Sequence, residues 1–388
     1  MLRNIITGID IGTATVRVVV CEQSKGKSGI TIIGTGESEN HGMRRGYSIN
    51  QKETTLAIKR ALKEAEKSSG TQIKRAFIGM GGMSMHAEFG YGLAVISRSD
   101  SEVTNLDIEK ALAESEKSLE LSNKRIIWSA PIAYKIDGKE VLGRPEGQKG
   151  AKLEVKTLFV TCLTQHADDL EETVIEAGID ILDIMPSTLA LGHVVLQNRQ
   201  KTVGAALLDV GAETVSLVVY ENMVPIGLHI YGLGSADITN DIALGLKIPL
   251  EEAEGIKIGS IIGNYPKKKI DDIVSARLDD IFEVTENYLK KLKRNELLPA
   301  GIMLAGGGSF ISNAPEYAKD FLKLPAKVAT LDMESAQKGV VRDMRWFTAY
   351  GLCVLGYQEK HIVPEGSFSE FSKKTKGFFK NFFSQFRP

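Results

Sequence analysis

One short pattern is written twice in this chain, 199 residues apart. Residues 9–20 read Ile-Asp-Ile-Gly-Thr-Ala-Thr-Val-Arg-Val-Val-Val, and residues 208–219 read Leu-Asp-Val-Gly-Ala-Glu-Thr-Val-Ser-Leu-Val-Val. Asp10 aligns with Asp209, Gly12 with Gly211 and Thr15 with Thr214, each copy ending in an apolar run. The offset is close to half of the 388 residues, so two related halves are expected rather than one core. Apolar and β-branched residues on both sides of a glycine predict a β-hairpin in each half.

Such a hairpin suits phosphate. Glycine lets the backbone turn tightly and bring N–H groups against phosphate oxygens, and Thr13, Thr15 or Thr214 can add a hydroxyl. An aspartate at the strand end faces a hydrated Mg²⁺, which keeps several of its waters. Residues 302–304 form a short apolar run leading into Gly306, Gly307, Gly308 and Ser309, a third loop of the same character. A partial copy at Gly178, Ile179, Asp180 and Ile181 carries Leu182 in place of the glycine, and a plain strand is expected there. Two matched hairpins and a triple glycine point to one nucleotide and its Mg²⁺ held between the halves, with Asp10 and Asp209 facing the hydrated metal. The chain has no Gly-x-x-x-x-Gly-Lys loop, no Gly-x-Gly-x-x-Gly fingerprint and no His-Glu-x-x-His helix.

A net charge of −1 gives no overall attraction to nucleic acid, and none is expected as a partner. Three cysteines, each in an apolar run, predict buried, reduced thiols. Neither a signal peptide nor a transmembrane helix is expected.

The periodicity predicts helices at 51–69 (with Leu56, Ile58, Ala61, Leu62 and Ala65 as the apolar stripe), 105–118, 167–177, 187–197, 236–246, 251–257, 270–294 and 346–357. Strands are predicted at 30–36, 75–80, 92–97, 125–134, 153–164 and 178–185. Asn105 is the expected cap of its helix, with Glu109 near a capping-box position. The alternation makes the fold α/β, and 84–162 reads as a small inserted α+β unit.

These residues resemble the actin-like ATPase superfamily, whose members include actin, large heat-shock chaperones and sugar kinases. The resemblance makes Asp10–Thr15 the first phosphate loop, Asp209–Thr214 the second and Ala305–Ser309 the adenosine loop. It makes 187–197 and 346–355 the connecting helices on which two lobes hinge, in a two-lobed, ribonuclease H-like fold. Within the superfamily the chain is similar to the bacterial cell-division FtsA family over nearly its whole length. The segment Gly42, Met43, Arg44, Arg45, Gly46 is similar to that family's Gly-Met-x-x-Gly, and 102–138 resembles its inserted subdomain 1C. Ile238–Ala243 and Ala253–Lys257 resemble its ribose and adenine segments. The resemblance therefore assigns to the nucleotide Asp10, Gly12, Thr13, Thr15, Asp209, Gly211, Ala212, Thr214, Gly234, Glu254, Lys257, Gly306, Gly307, Gly308 and Ser309. It implies subdomain 1A at 1–83 and 163–197, 1C at 84–162, 2A at 198–225 and 301–357, and 2B at 226–300. Two departures stand out: the family's second loop reads Asp-Ile-Gly-Gly-Gly-Thr where this chain has Ala212 and Glu213, and Ser235 replaces a second glycine. A carboxylate beside phosphates repels them unless it points away or helps hold the metal. ATP binding with at most slow hydrolysis is expected, and no general base is identifiable.

Residues 358–376 read as a flexible linker, and 377–388 are of another kind. At 100° per residue Phe378, Phe379, Phe382, Phe383 and Phe386 fall within an arc of about 140°. Lys376, Lys380 and Arg387 lie on the other side, and residues 373–388 carry five bases and no acid. That is the pattern of an amphipathic helix lying on anionic inner-membrane lipid. The family resemblance implies a protein that polymerises on the cytoplasmic face of the membrane at the division septum and anchors the tubulin-like FtsZ ring. It implies that later division proteins are recruited through 1C. The alternatives are an actin-like pilus-assembly protein of the PilM kind and a small-molecule kinase of the superfamily.

Overall fold

The computed structural model describes residues 4–23, 29–261, 265–311, 313–331 and 343–362. The phenylalanine tail, from Lys376 to Arg387, and most of the expected linker lie outside the described residues.

The first hairpin is β1 (Ile5–Ile11) and β2 (Thr15–Gln23), antiparallel, with Asp10 opposite Arg17. β3 (Ile30–Glu39) continues the meander, and a two-residue hairpin, β4 (Met43–Arg44) and β5 (Tyr47–Ser48), follows. α1 spans Gln51–Ser69, capped by the Asn50 side chain accepting from Glu53 N–H, and ends at Gly70 in the left-handed region. It buries Thr54, Thr55, Ala57, Ile58, Ala61, Leu62 and Ala65, and full burial of an aliphatic side chain such as Ile58 is worth about 1.5–3 kcal/mol. Leu56, expected in that stripe, is 51% exposed. At 100° per residue it lies about 160° from Ile58, and the two threonines fill its expected place. β6 (Arg75–Met80) lies parallel to β1, with Gly79 beside Asp10.

The insertion begins with β7 (His86–Val95) and α2 (Asn105–Lys117), followed by β8 (Lys124–Ile136), β9 (Lys139–Val141) and β10 (Lys152–Leu163). The cap of α2 is Thr104 rather than Asn105. The Asp107 carboxylate, not Glu109, closes the box by accepting from the Thr104 N–H and hydroxyl. α3 (Thr164–Glu176) and β11 (Asp180–Pro186) return to the first sheet. The strand order there is β11-β6-β1-β2-β3, and the glycine-less copy at Asp180 is a plain strand of it.

α4 (Ser187–Val195) and α5 (Asn198–Val203) lead into the second half. There β12 (Ala205–Val210), β13 (Val215–Glu221) and β14 (Val224–Tyr231) form the same antiparallel meander. α6 (Ser235–Leu246), α7 (Leu250–Lys257) and α8 (Lys267–Lys291) follow. β15 (Ile302–Ala305) lies parallel to β12, with Ala305 beside Asp209. α9 (Ala314–Leu322), β16 (Ala326–Val328) and α10 (Phe347–Ile362) complete the described chain. The order β16-β15-β12-β13-β14 repeats that of the first sheet, so the duplication extends from the hairpin to a whole five-strand pattern. The insertion does not stand apart: its strands extend this second sheet, β14 meeting β7 at the single pair His229 and His86.

α10 runs five residues past the predicted 357, into the stretch expected to be linker. It crosses α4 at contact distance: a Cβ on Gly351 would fall 2.1 Å from the Ala190 carbonyl oxygen. A core of Ile6, Val19, Cys21, Phe77, Met185, Ala349 and Leu352 seals the helix to the first sheet. Cys21, Cys162 and Cys353 are buried free thiols.

Candidate functional site

Both phosphate loops close with the same bond. Gly12 N–H donates to Thr15 O at 3.0 Å, and Gly211 N–H to Thr214 O at 2.9 Å. The carboxylates of Asp10 and Asp209 end their strands deep between the halves. Burial raises the pKa of Asp10, opposed by Arg17 and by the Ser187 hydroxyl, which donates to Asp10 Oδ1 at 3.2 Å. Burial, with the charge of Asp10 added, pushes Asp209 up to about 7. Two half-buried carboxylates close enough for the charge of one to raise the other are suited to a cation.

The surroundings of the two loops differ. In the first, the Asn40 side chain donates to Gly12 O at 2.9 Å, and Thr13 Oγ1 accepts from Gly46 N–H at 3.1 Å. In the second, Gly211 and Ala212 carbonyls accept from Ser235 and Ala236 N–H at 2.9 and 2.8 Å, tying the loop to the start of α6. Gly234 N–H there donates to Asp237 Oδ2 at 2.9 Å. Glu213 turns toward the first half: Oε2 accepts from Arg45 N–H at 2.7 Å and Oε1 lies 3.3 Å from Arg44 Nη1. Of the two outcomes weighed for this carboxylate, the structure has it bonded to the facing hairpin.

Gly306 adjoins Asp209 directly. It has φ +79°, and a Cβ there would fall 2.4 Å from Asp209 Oδ1, so only glycine fits. A single turn at Gly307–Phe310 follows, with the Ser309 hydroxyl donating to Gly306 O at 2.7 Å. A Cβ on Gly308 would fall 3.3 Å from the Ser235 Cβ, so this loop meets α6 beside the second phosphate loop.

Glu254 and Lys257 share a face of α7, as their spacing predicts, with the lysine shielded and the glutamate 46% exposed. Lys257 has only 7% of its side chain exposed; Nζ lies 2.7 Å from Glu254 and donates to Ser235 O and Thr239 Oγ1 at 3.1 and 2.9 Å. The expected residues thus fall into two facing sets: Asp10, Gly12, Thr13 and Thr15 on the first half, and Asp209, Gly211, Ala212, Thr214, Gly234, Glu254, Lys257 and Gly306 to Ser309 on the second. Sequence reasoning missed Ser187 and Asn40, while Thr239 falls in the segment expected at the ribose and adenine. Ser187 carries the one readable signal, since it follows Pro186 at the first turn of a helix. Among the described residues no three of His, Cys, Asp and Glu gather as a metal cage.

The family model described as "Cell division protein FtsA" matches residues 206–351, and "SHS2 domain inserted in FTSA" matches 79–161, together more than half of the chain. The Cell division protein FtsA of Pseudomonas aeruginosa is 28% identical over 377 residues, covering 92% of this chain and 90% of that protein. That of Bacillus subtilis is 26% identical, covering 89% and 81%. Among solved structures, the PilM-PilN type IV pilus biogenesis complex superposes with a TM-score of 0.67 at 16% identity, covering 91% of this chain and 98% of that one. MreB5 of Spiroplasma citri bound to ADP superposes at 0.54 and 12% identity, covering 93% and 99%. The superpositions make the fold actin-like, and with both family models and the named relatives agreeing, the chain belongs to the FtsA family of cell-division proteins.

Proposed function

We propose that this protein binds ATP with Mg²⁺ between its halves, assembles into filaments on the cytoplasmic face of the cell membrane at the septum, and anchors FtsZ there. The observation that carries nucleotide binding is the facing pair of matched hairpins with Asp10 and Asp209 half-buried at their roots. The two carboxylates fit a hydrated Mg²⁺ held through water, which would neutralise phosphate charge when bound. The loops Gly12 to Thr15 and Gly211 to Thr214 would hold the phosphates through those backbone N–H groups that do not close the turns. Gly306 to Ser309 would hold the adenosine, with Gly234, Glu254 and Lys257. Nucleotide here acts as a ligand that sets the angle between lobes, and hydrolysis is slow.

Among the described residues no helix is long and apolar enough to cross a membrane. Attachment is assigned to the amphipathic tail, with Phe378, Phe379, Phe382, Phe383 and Phe386 in the lipid and Lys376, Lys380 and Arg387 at its anionic surface. One short tail binds weakly, and a filament multiplies it through effective concentration. The domain limits given above are retained in this reading, with the insertion receiving later division proteins. Co-pelleting with anionic vesicles tests the attachment: the full chain should pellet and a chain ending at Lys376 should not. Equal pelleting removes the membrane role. The likeness to the PilM-PilN complex favours a second reading, a binding module for a membrane partner's peptide, which predicts no tail-dependent pelleting.

A further inference from the structure

The tip of the β4–β5 hairpin is where the first half touches the second phosphate loop. Its turn residues Arg45 and Gly46 have φ +48° and +83°. An arginine in that region is uncommon and needs support from its neighbours. His166 Nε2 lies 2.9 Å from Gly46 O, and since that oxygen can only accept, Nε2 carries the proton and Nδ1 takes the Ser84 hydroxyl at 2.7 Å. The tip is therefore held from beneath, and its two N–H groups face one phosphate loop each: Gly46 to Thr13, Arg45 to Glu213. Arg44 is 69% exposed and its ion pair with Glu213 is long at 3.3 Å, so the short, charge-assisted N–H to carboxylate bond at 2.7 Å outweighs it.

We infer that Glu213 is a built-in anion that draws the second lobe onto the hairpin tip, and that it lowers the protein's preference for ATP over ADP. The Arg45 N–H to Glu213 bond joins the lobes through protein atoms alone, and a triphosphate brings a further anion toward that carboxylate which a diphosphate does not. The inference rests on the nucleotide reading given above.

Labels at Lys63→Cys on α1 and Asn287→Cys on α8, both exposed, report the lobe separation, and the three native cysteines are buried. Mg-ATP and Mg-ADP affinities are measured on the full chain. With Glu213→Gly the ligand-free lobes should separate and the ATP-to-ADP preference rise about tenfold, the size of one like-charge contact relieved. Glu213→Gln, which keeps the acceptor and loses the charge, should stay closed yet gain most of that preference, and it guards against misfolding of the glycine variant. Arg44→Ala should change either reading by no more than about twofold. Unchanged separation and unchanged preference in Glu213→Gly overturn the inference. If the parent chain binds neither nucleotide, the nucleotide reading fails, while the ligand-free separation still decides the latch.

Discussion

The two phosphate loops share a backbone and differ in what they hold on to. The first is satisfied within its own half, with Asn40 on Gly12, Gly46 N–H on Thr13 and Ser187 on Asp10. The second is tied behind to α6 and, through Glu213, reaches across to the other half. Duplication kept the turn because its closing bond is backbone to backbone, and left the side chains free to diverge. One copy became a fixed floor, the other the part that senses where the opposite lobe is.

The sharpest test of this asymmetry lies in the aspartates. Asp209→Ala should abolish Mg-ATP binding, a loss beyond about a hundredfold, because it removes the carboxylate that the second half sets against Asp10. Unchanged affinity removes the second hairpin from the site. The same residue sets a pH dependence. Its pKa rises from 3.8 to about 7 on folding, so its contribution to ligand-free stability is fully present below about pH 4 and is lost as pH climbs through 7. Asp209→Asn should therefore raise the ligand-free melting point by about 5 °C near pH 8 and leave it unchanged near pH 4. Mg-nucleotide affinity in the parent should strengthen from pH 6 to 8 by roughly tenfold as the proton leaves.

Next in size is a pair within one loop. Gly306→Ala puts a methyl against Asp209 in a left-handed backbone and should cost about 2–3 kcal/mol in denaturant unfolding. Gly307→Ala, with open space around it, should stay within about 0.5 kcal/mol. Equal costs would mean that the loop does not lean on the aspartate. Thr13→Val should cost about 1 kcal/mol by leaving Gly46 N–H without its acceptor. Leu56→Lys, on the solvent side of α1, should be silent within about 0.5 kcal/mol.

That last position marks where periodicity misleads. The limits of α1 and β6 were legible because Asn50, Gly70 and the glycines after Met80 punctuate them locally. Leu56 was misread because leucine resembles core wherever it falls, while Thr54 and Thr55 are buried by bonding to Asn50 O and Thr173 O. The aspartates and glycines of the site were legible because the chain states them twice. The partners Ser187 and Arg45 were not, since each is brought to its loop across more than 150 residues by topology. The joining of the insertion to the second sheet rests on one residue pair, a signal too small for any pattern.

The crossing of α4 and α10 has a mechanical consequence. Gly351 lies so close to the Ala190 carbonyl that neither helix can slide past the other without a collision of backbones. Rotation about that point disturbs far less. The pair thus resembles an axle more than a rail, resisting a pull along α10 more than a turn about the crossing. On the proposed reading, with the anchor in the chain that follows α10, load on that anchor would be met at this crossing before it reached the two hairpins.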